Sequence, residues 1–233
     1  MSQKSILRIS SVVMGVSGLI ILFATLWPII SYENISGSSK EEFVSAAVDD
    51  NENPLLVSGN EEVDYTKASN WFVGGAPKDS FVSSNISFYT VSIPRLKIEN
   101  ATVAIGGEDL ADHLIQYPGT ALPGKFGNAV IFGHSVLPIF YNPKNYLSIF
   151  SLLPTLKKGD EITINYDGIT YKYEVENMFE VSPTDIQVLD QDKSDSFLTL
   201  VTCVPPGDPR KPRRLIVRAR VVPLTKINEN LGG

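Results

Sequence analysis

The 233-residue chain is poor in the groups that usually staple or charge a protein: it has one cysteine, two histidines, three methionines, two tryptophans and no excess of basic residues. A single cysteine excludes an intramolecular disulfide, so the fold must be held by its own core. Twenty Lys and Arg against 26 Asp and Glu give a formal net charge of −6. A nucleic-acid surface needs clustered cations to displace counterions, and nucleic acid is excluded as a partner. The chain also lacks long hydrophobic runs, with one exception at its start. Hydrophobic residues make up 43% of the chain, enough for one good-sized core.

The exception runs from Ile9 to Tyr32 without a charged residue. As a helix it would extend about 35 Å, enough to cross a hydrocarbon core of about 30 Å. Lys4 and Arg8 precede it, whereas Glu33, Glu41, Glu42, Asp49 and Asp50 follow with only Lys40 among them. That asymmetry predicts a cytoplasmic N-terminus and a single-pass cell-membrane anchor, with the rest of the chain extracytoplasmic. Leu26-Trp27-Pro28-Ile29-Ile30 stands where a cleaved signal peptide would carry its small-residue site, which favours an uncleaved anchor.

Four parts follow: residues 1–32 as cytoplasmic tip and transmembrane anchor, 33–85 as extracytoplasmic linker, 86–225 as a β domain, and 226–233 as a tail. The linker is rich in Ser, Gly, Asn and acids, has no sustained period, and reads as a solvated stalk. Trp71 and Phe72 are its exceptions, readable as first packing residues or as a flap over a site. Beyond Thr90 the chain changes to short β-branched and aromatic runs punctuated by Gly, Pro, Asn and Asp. Strands are predicted near 90–96, 101–105, 128–132, 161–166, 170–181, 197–202 and 215–222. Short helices are predicted over Glu108–Gln116 and Tyr146–Leu153. Asp167-Gly168 predicts a type I′ hairpin turn. The pattern is that of a mainly β protein, a sandwich or closed barrel.

Three strings bear chemistry. Phe197-Leu198-Thr199-Leu200-Val201-Thr202-Cys203 is an apolar strand ending on the only thiol and running into Val204-Pro205-Pro206-Gly207. A strand end presents a side chain to a ligand, although a lone cysteine is equally read as a small buried hydrophobe. Asn128-Ala129-Val130-Ile131-Phe132-Gly133-His134 ends a second strand on a histidine at the rim. Imidazole beside a thiol can take its proton or stabilise the thiolate. In Arg213-Arg214-Leu215-Ile216-Val217-Arg218, period two places Leu215 and Val217 on the core face and Arg214 with Ile216 on the other. There a guanidinium can donate to a developing oxyanion, or simply be solvated.

Taken in this order, the Gly133-His134 strand end, Thr199-Leu200-Val201-Thr202-Cys203 and Arg214-Leu215-Ile216-Val217 resemble the signature regions of the sortase family. Ile93-Pro94-Arg95-Leu96, the string from Tyr117 to Gly124 and Leu156-Lys157-Lys158-Gly159-Asp160 are similar to sortases as well, so the resemblance covers Thr90 to Val222. It implies an eight-stranded sortase-like β-barrel with one or two short helices, preceded by the transmembrane helix. It further implies a cysteine transpeptidase that needs no cofactor. Cys203 would attack a Leu-Pro-x-Thr-Gly-like sorting-signal peptide of surface proteins to form a thioester. An amine acceptor, such as a cell-wall precursor or a pilin lysine, would then resolve it. His134 would act as general acid and base, and Arg214 would bind substrate and the oxyanion, with Arg213 as the fallback. Thr202 would position substrate or pack the strand. His113 has no role, and no Asp-Pro-aromatic lid string is present. Glu108, Asp109 and Asp112 read as a solvated helix face, so no metal site is predicted. The competing readings are an L,D-transpeptidase, whose cysteine follows Ser-x-Gly, and a non-catalytic surface-binding β domain with Cys203 merely packed.

Overall fold

The computed structural model describes residues 11–23, 63–81 and 87–223. The chain divides into two compact units, 1–48 and 49–233. In the first, residues 11–23 are α-helical. The remainder of the expected span, 9–10 and 24–32, lies outside the described residues, and among those described no helix is long and apolar enough to cross a membrane. The expected tail 226–233 lies outside them too.

The second unit holds eight strands: β1 (Ser87–Ile93), β2 (Ile98–Ile105), β3 (Leu114–Gln116), β4 (Gly127–Phe132), β5 (Glu161–Tyr166), β6 (Ile169–Val181), β7 (Ser196–Val204) and β8 (Arg213–Val221). They close a barrel in the order β1-β2-β3-β4-β7-β8-β6-β5. Closure leaves no open edge, and this fixes the barrel alternative over the sandwich. β2 with β3 and β4 with β7 are parallel, and the other neighbours are antiparallel. Asp167 and Gly168 take φ of 51° and 73° between β5 and β6, as a type I′ turn requires.

The two expected short helices differ from the structure. Within 108–116 the chain turns and then forms β3, whose Leu114 and Ile115 are fully buried between β2 and β4. Three residues are too few to show a period of two. Within 146–153 the chain winds through turns into a 3-10 segment, Leu153–Thr155. The side chain of Asn145 accepts from Leu147 N–H, and i to i+3 bonds run from Ser148 to Asn145 and Leu153 to Phe150. Such side-chain bonds offer the backbone an alternative to the α-helical ladder.

Within the stretch read as a linker, residues 63–81 pack in part on the barrel, in line with the reading of Trp71 and Phe72 as packing residues or a flap. Ala68, Trp71, Phe72 and Phe81 are buried, with Trp71 at 0% exposure. They join Val130, Phe132, Val201, Cys203 and Ile216 in one apolar cluster. Trp71 stacks on Phe132 at 5.1 Å between ring centroids, and Phe81 meets Tyr117 edge-on at 5.4 Å. Full burial of an indole contributes about 4 kcal/mol by area and anchors the segment on the barrel. The cluster lies on the outer face of β4, β7 and β8, and residues 63–81 cover it.

Candidate active site

Strand register brings the three chemistry-bearing strings together. β4 runs parallel to β7 with Phe132 opposite Val201, and Gly133 N–H donates to the Val201 carbonyl at 3.1 Å. Continuing that register sets His134 beside Cys203. On the other side of β7, Cys203 pairs directly with Arg214 of β8. Thiol, imidazole and guanidinium thus occupy the ends of three adjacent strands.

The strand ends are tied crosswise. Thr202 Oγ1 donates to the Gly133 carbonyl at 2.8 Å, and Ser135 Oγ donates to the Cys203 carbonyl at 2.6 Å. Phe150 N–H donates to the His134 carbonyl at 2.9 Å. Gly133 sits against the Phe150 and Leu114 side chains so closely that any Cβ there would collide with them. Thr202 is fully buried with its hydroxyl engaged, so it locks β7 to β4. Ser135 was not singled out from the sequence; its position next to His134 was the available signal.

All three groups are under cover: Cys203, His134 and Arg214 are 1%, 4% and 1% exposed. The cover is the segment containing Trp71. Arg214 Nε donates to the Trp71 carbonyl at 3.0 Å, while Nη1 donates to the Lys211 and Arg213 carbonyls at 2.8 and 3.1 Å. The Trp71 ring meets the His134 ring at 5.9 Å and 64°, and the Arg214 guanidinium lies 5.6 Å from the Trp71 ring centre. Arg213 points elsewhere, being 64% exposed at its side chain and 3.9 Å from Glu180. Trp71 and Phe72 are therefore packing residues that also roof the site. The sequence signal was an aromatic pair inside a polar stretch.

Burial governs the protonation states. It pushes the His134 imidazole down to about 4, with the Lys211 charge adding to the effect. His134 Nε2 is buried without a hydrogen-bond partner. Burial raises the Cys203 thiol above its ordinary value, opposed by the charges of Arg214 and then Lys211. The covered site holds a neutral thiol beside a neutral imidazole, since a low-dielectric surrounding disfavours both charged forms. Beside them opens a cavity of about 300 Å³ lined by Thr66, His134, Leu147, Gly207, Asp208 and Lys211 among others. Among the described residues no group of three or more His, Cys, Asp or Glu comes together that could hold a metal ion. His113 instead packs between Phe88 and Tyr146.

Cysteine, histidine and arginine thus stand on adjacent strand ends of a closed barrel, and comparison with known proteins gives the family. Residues 91–222 match the family model for the sortase domain. The chain belongs to the sortase family. It is 33% identical over 103 residues to sortase A of Staphylococcus aureus, covering 37% of this chain and 47% of that protein. It is 31% identical over 98 residues to sortase A of Streptococcus agalactiae, covering 42% of this chain and 37% of that protein. The chain thus spans less than half the length of these curated relatives. Among solved structures, a lid mutant of sortase A from Corynebacterium diphtheriae superposes with a TM-score of 0.52 at 31% identity, covering 63% of this chain and 76% of that one.

Proposed function

We propose that the chain is a transpeptidase in which Cys203 is the nucleophile, His134 the general acid and base, and Arg214 the oxyanion and substrate donor. The observation that carries this reading is the register of β4, β7 and β8, which sets an imidazole and a buried guanidinium on opposite sides of the only thiol. A merely packed cysteine has no need of a buried arginine as its strand partner, because an unpaired buried charge is costly.

With the site uncovered, Cys203 passes its thiol proton to His134, and the resulting thiolate attacks the Thr carbonyl carbon of a Leu-Pro-x-Thr-Gly-like sorting signal. A carbon–sulfur bond forms, the carbon–nitrogen bond to Gly breaks, and His134 gives its proton to the departing amine. The amine of an acceptor then attacks the thioester, His134 takes a proton from it, and the thiolate leaves. Arg214 stabilises the oxyanion in both steps, as a preorganised cation in a water-poor site does. The resting pair is neutral and covered, so substrate enters only once residues 65–72 move aside and the Trp71 carbonyl releases Arg214. Solvation then returns the imidazole towards its ordinary 6.5 and lowers the thiol.

Residues 86–225 form the catalytic part in this reading, and 1–32 a single-pass anchor with a cytoplasmic N-terminus. The uncharged run from Ile9 to Tyr32 supports the anchor, as does membership of a family of membrane-associated cell-surface enzymes. The acceptor is a cell-wall precursor or pilin-type amine.

The test is cleavage of a quenched Leu-Pro-x-Thr-Gly peptide library by the chain and by Cys203→Ala, with and without added amine. Cleavage lost in the variant and diverted by amine into ligated product is expected. A folded chain that cleaves nothing, or whose cleavage survives loss of Cys203, would contradict the reading.

A further inference from the structure

The loop between Cys203 and Arg214 carries a cation that the reaction as drawn does not use. Lys211 is half-buried and stands in the left-handed region with φ of 46°, a costly conformation for a lysine. Its N–H donates to the Asp208 carbonyl at 3.2 Å, and its own carbonyl accepts from Arg214 Nη1 at 2.8 Å. Gly207, at φ of 86°, packs so tightly on Leu137 that a Cβ there would approach the Leu137 backbone nitrogen to 2.9 Å. The loop is thereby folded back onto the segment that follows His134. The Lys211 side chain lines the cavity with His134, and its ammonium sits 4.8 Å from the centre of the Tyr65 ring. Among the described residues it forms no ion pair with a carboxylate, although Lys67, Arg95, Lys172, Arg210 and Arg220 each do. A cation with a long stem, taken partly out of water without an acid to neutralise it, suits an anion that forms only during turnover.

We propose that Lys211 is a positioning residue for Cys203: a second cation beside Arg214 that holds the thiolate while the guanidinium is engaged with a carbonyl. In the covered state Arg214 is occupied by the Trp71 carbonyl, and with substrate bound it faces the oxyanion. Lys211, in the cavity it shares with His134, the neighbour of Cys203 in the strand register, is bound to neither carbonyl and keeps its charge available to the sulfur in both. The charged and titratable groups around the pair are Arg214 on β8, His134 after β4, Asp208 on the same loop, paired with Arg210, and Asp64 and Tyr65 on the covering segment, with Asp109 acting on His134. Burial opposes both charged forms, while the charge of each group, once present, favours that of the other, thiolate with ammonium.

The inference rests on Cys203 as nucleophile, so its test reads the sulfur directly and needs no turnover. Cys203 is the sole cysteine, and labelling cysteine with 13C at Cβ gives one resonance whose pH dependence reports ionisation. In Lys211→Met, which keeps an apolar stem, the midpoint is expected to rise by about half to one pH unit, the size of one nearby charge in a partly solvated place. Lys211→Arg is expected to titrate as the unaltered chain does. Peptide cleavage at neutral pH is expected to fall about 3- to 10-fold in Lys211→Met and to recover at higher pH. An unchanged midpoint in Lys211→Met would overturn the proposal, as would an equal rise in both variants, which would mark a structural role. A shifted midpoint in a chain that cleaves no peptide would leave the Lys211 assignment standing and overturn the transpeptidase reading instead.

Discussion

The wall of β4, β7 and β8 and the segment at residues 63–81 face each other across the same apolar cluster, yet they are held in different ways. The wall is laced by complete ladders, with Val204 to Phe197 paired residue by residue to β8 and Gly127 to Phe132 paired to β7. The segment is held by few backbone bonds to the barrel, among them Ala68 to Glu108, Leu110 to Thr66 and Val73 to Pro183. The rest of its grip is by side chains: the burial of Trp71, Phe72 and Phe81, the bond from Arg214 to the Trp71 carbonyl, the hydrogen bonds of Ser69 with Glu108 and Ala76 with Tyr117, and the ion pair of Lys67 with Asp109. A region held by ladders keeps its geometry, whereas one held mainly by a few side chains opens at a lower free energy. The molecule sets Cys203, His134 and Arg214 on the first and their cover on the second.

The comparison is broken most directly at the wall. Arg214→Ala removes the buried cation that ties wall to cover, and peptide cleavage is expected to fall about 10²- to 10³-fold even though the site becomes more open. Arg214→Lys restores the charge but not the planar fork, so it is expected to recover only a part of that loss. Steady-state kinetics on both variants checks this.

Removing the cover's own anchor has a divided effect. Trp71→Ala deletes an indole stacked on Phe132, and a stability loss of about 3 kcal/mol is expected in denaturant melts. Alkylation of Cys203 by iodoacetamide is expected to become faster in the same variant. Slower or unchanged alkylation would mean that Trp71 is core and not cover.

Acid sharpens the contrast. His134 is held neutral down to about pH 4, against an ordinary value of 6.5. Between those values the unfolded chain binds a proton that the folded chain does not, so stability is lost as pH falls from about 6.5 to about 4, by up to about 3 kcal/mol. Because the imidazole meets the covering Trp71, opening is expected to begin there. Amide exchange should rise at Trp71 before it rises at Gly133, and His134→Gln should flatten the pH dependence. The smallest effect is expected from Lys67→Ala. Its ion pair with Asp109 is surface-exposed and contributes at most about 1 kcal/mol, with a modest gain in thiol accessibility.

The wall was legible in the sequence because its signals are local. Strands ending on Cys203 and His134, and the alternation that sends Arg214 away from Leu215 and Val217, are patterns of period two. The match of those strings to one family then supplied the barrel's closure, which no local pattern contains. The cover was legible only in part: Trp71 and Phe72 read as packing residues or as a flap, but what they meet is set by Phe132 and His134, 61 and 63 residues from Trp71 in sequence. β3 was hidden because its three residues gain their conformation from two neighbouring strands. Lys211 was one basic residue among four between Arg210 and Arg214, and only the path of the loop distinguishes it. Pairings set by tertiary contact, such as Thr202 with Gly133 and Ser135 with Cys203, lie beyond periodicity in the same way.

The most direct measurement of the central claim is intact-mass analysis of the chain quenched in acid after mixing with a Leu-Pro-x-Thr-Gly peptide. An adduct equal to the peptide's acyl part is expected on the chain, mapped to Cys203, labile to hydroxylamine and absent from Cys203→Ala. A folded, peptide-cleaving chain with no adduct, or with an adduct that persists in Cys203→Ala, would contradict a thioester on Cys203.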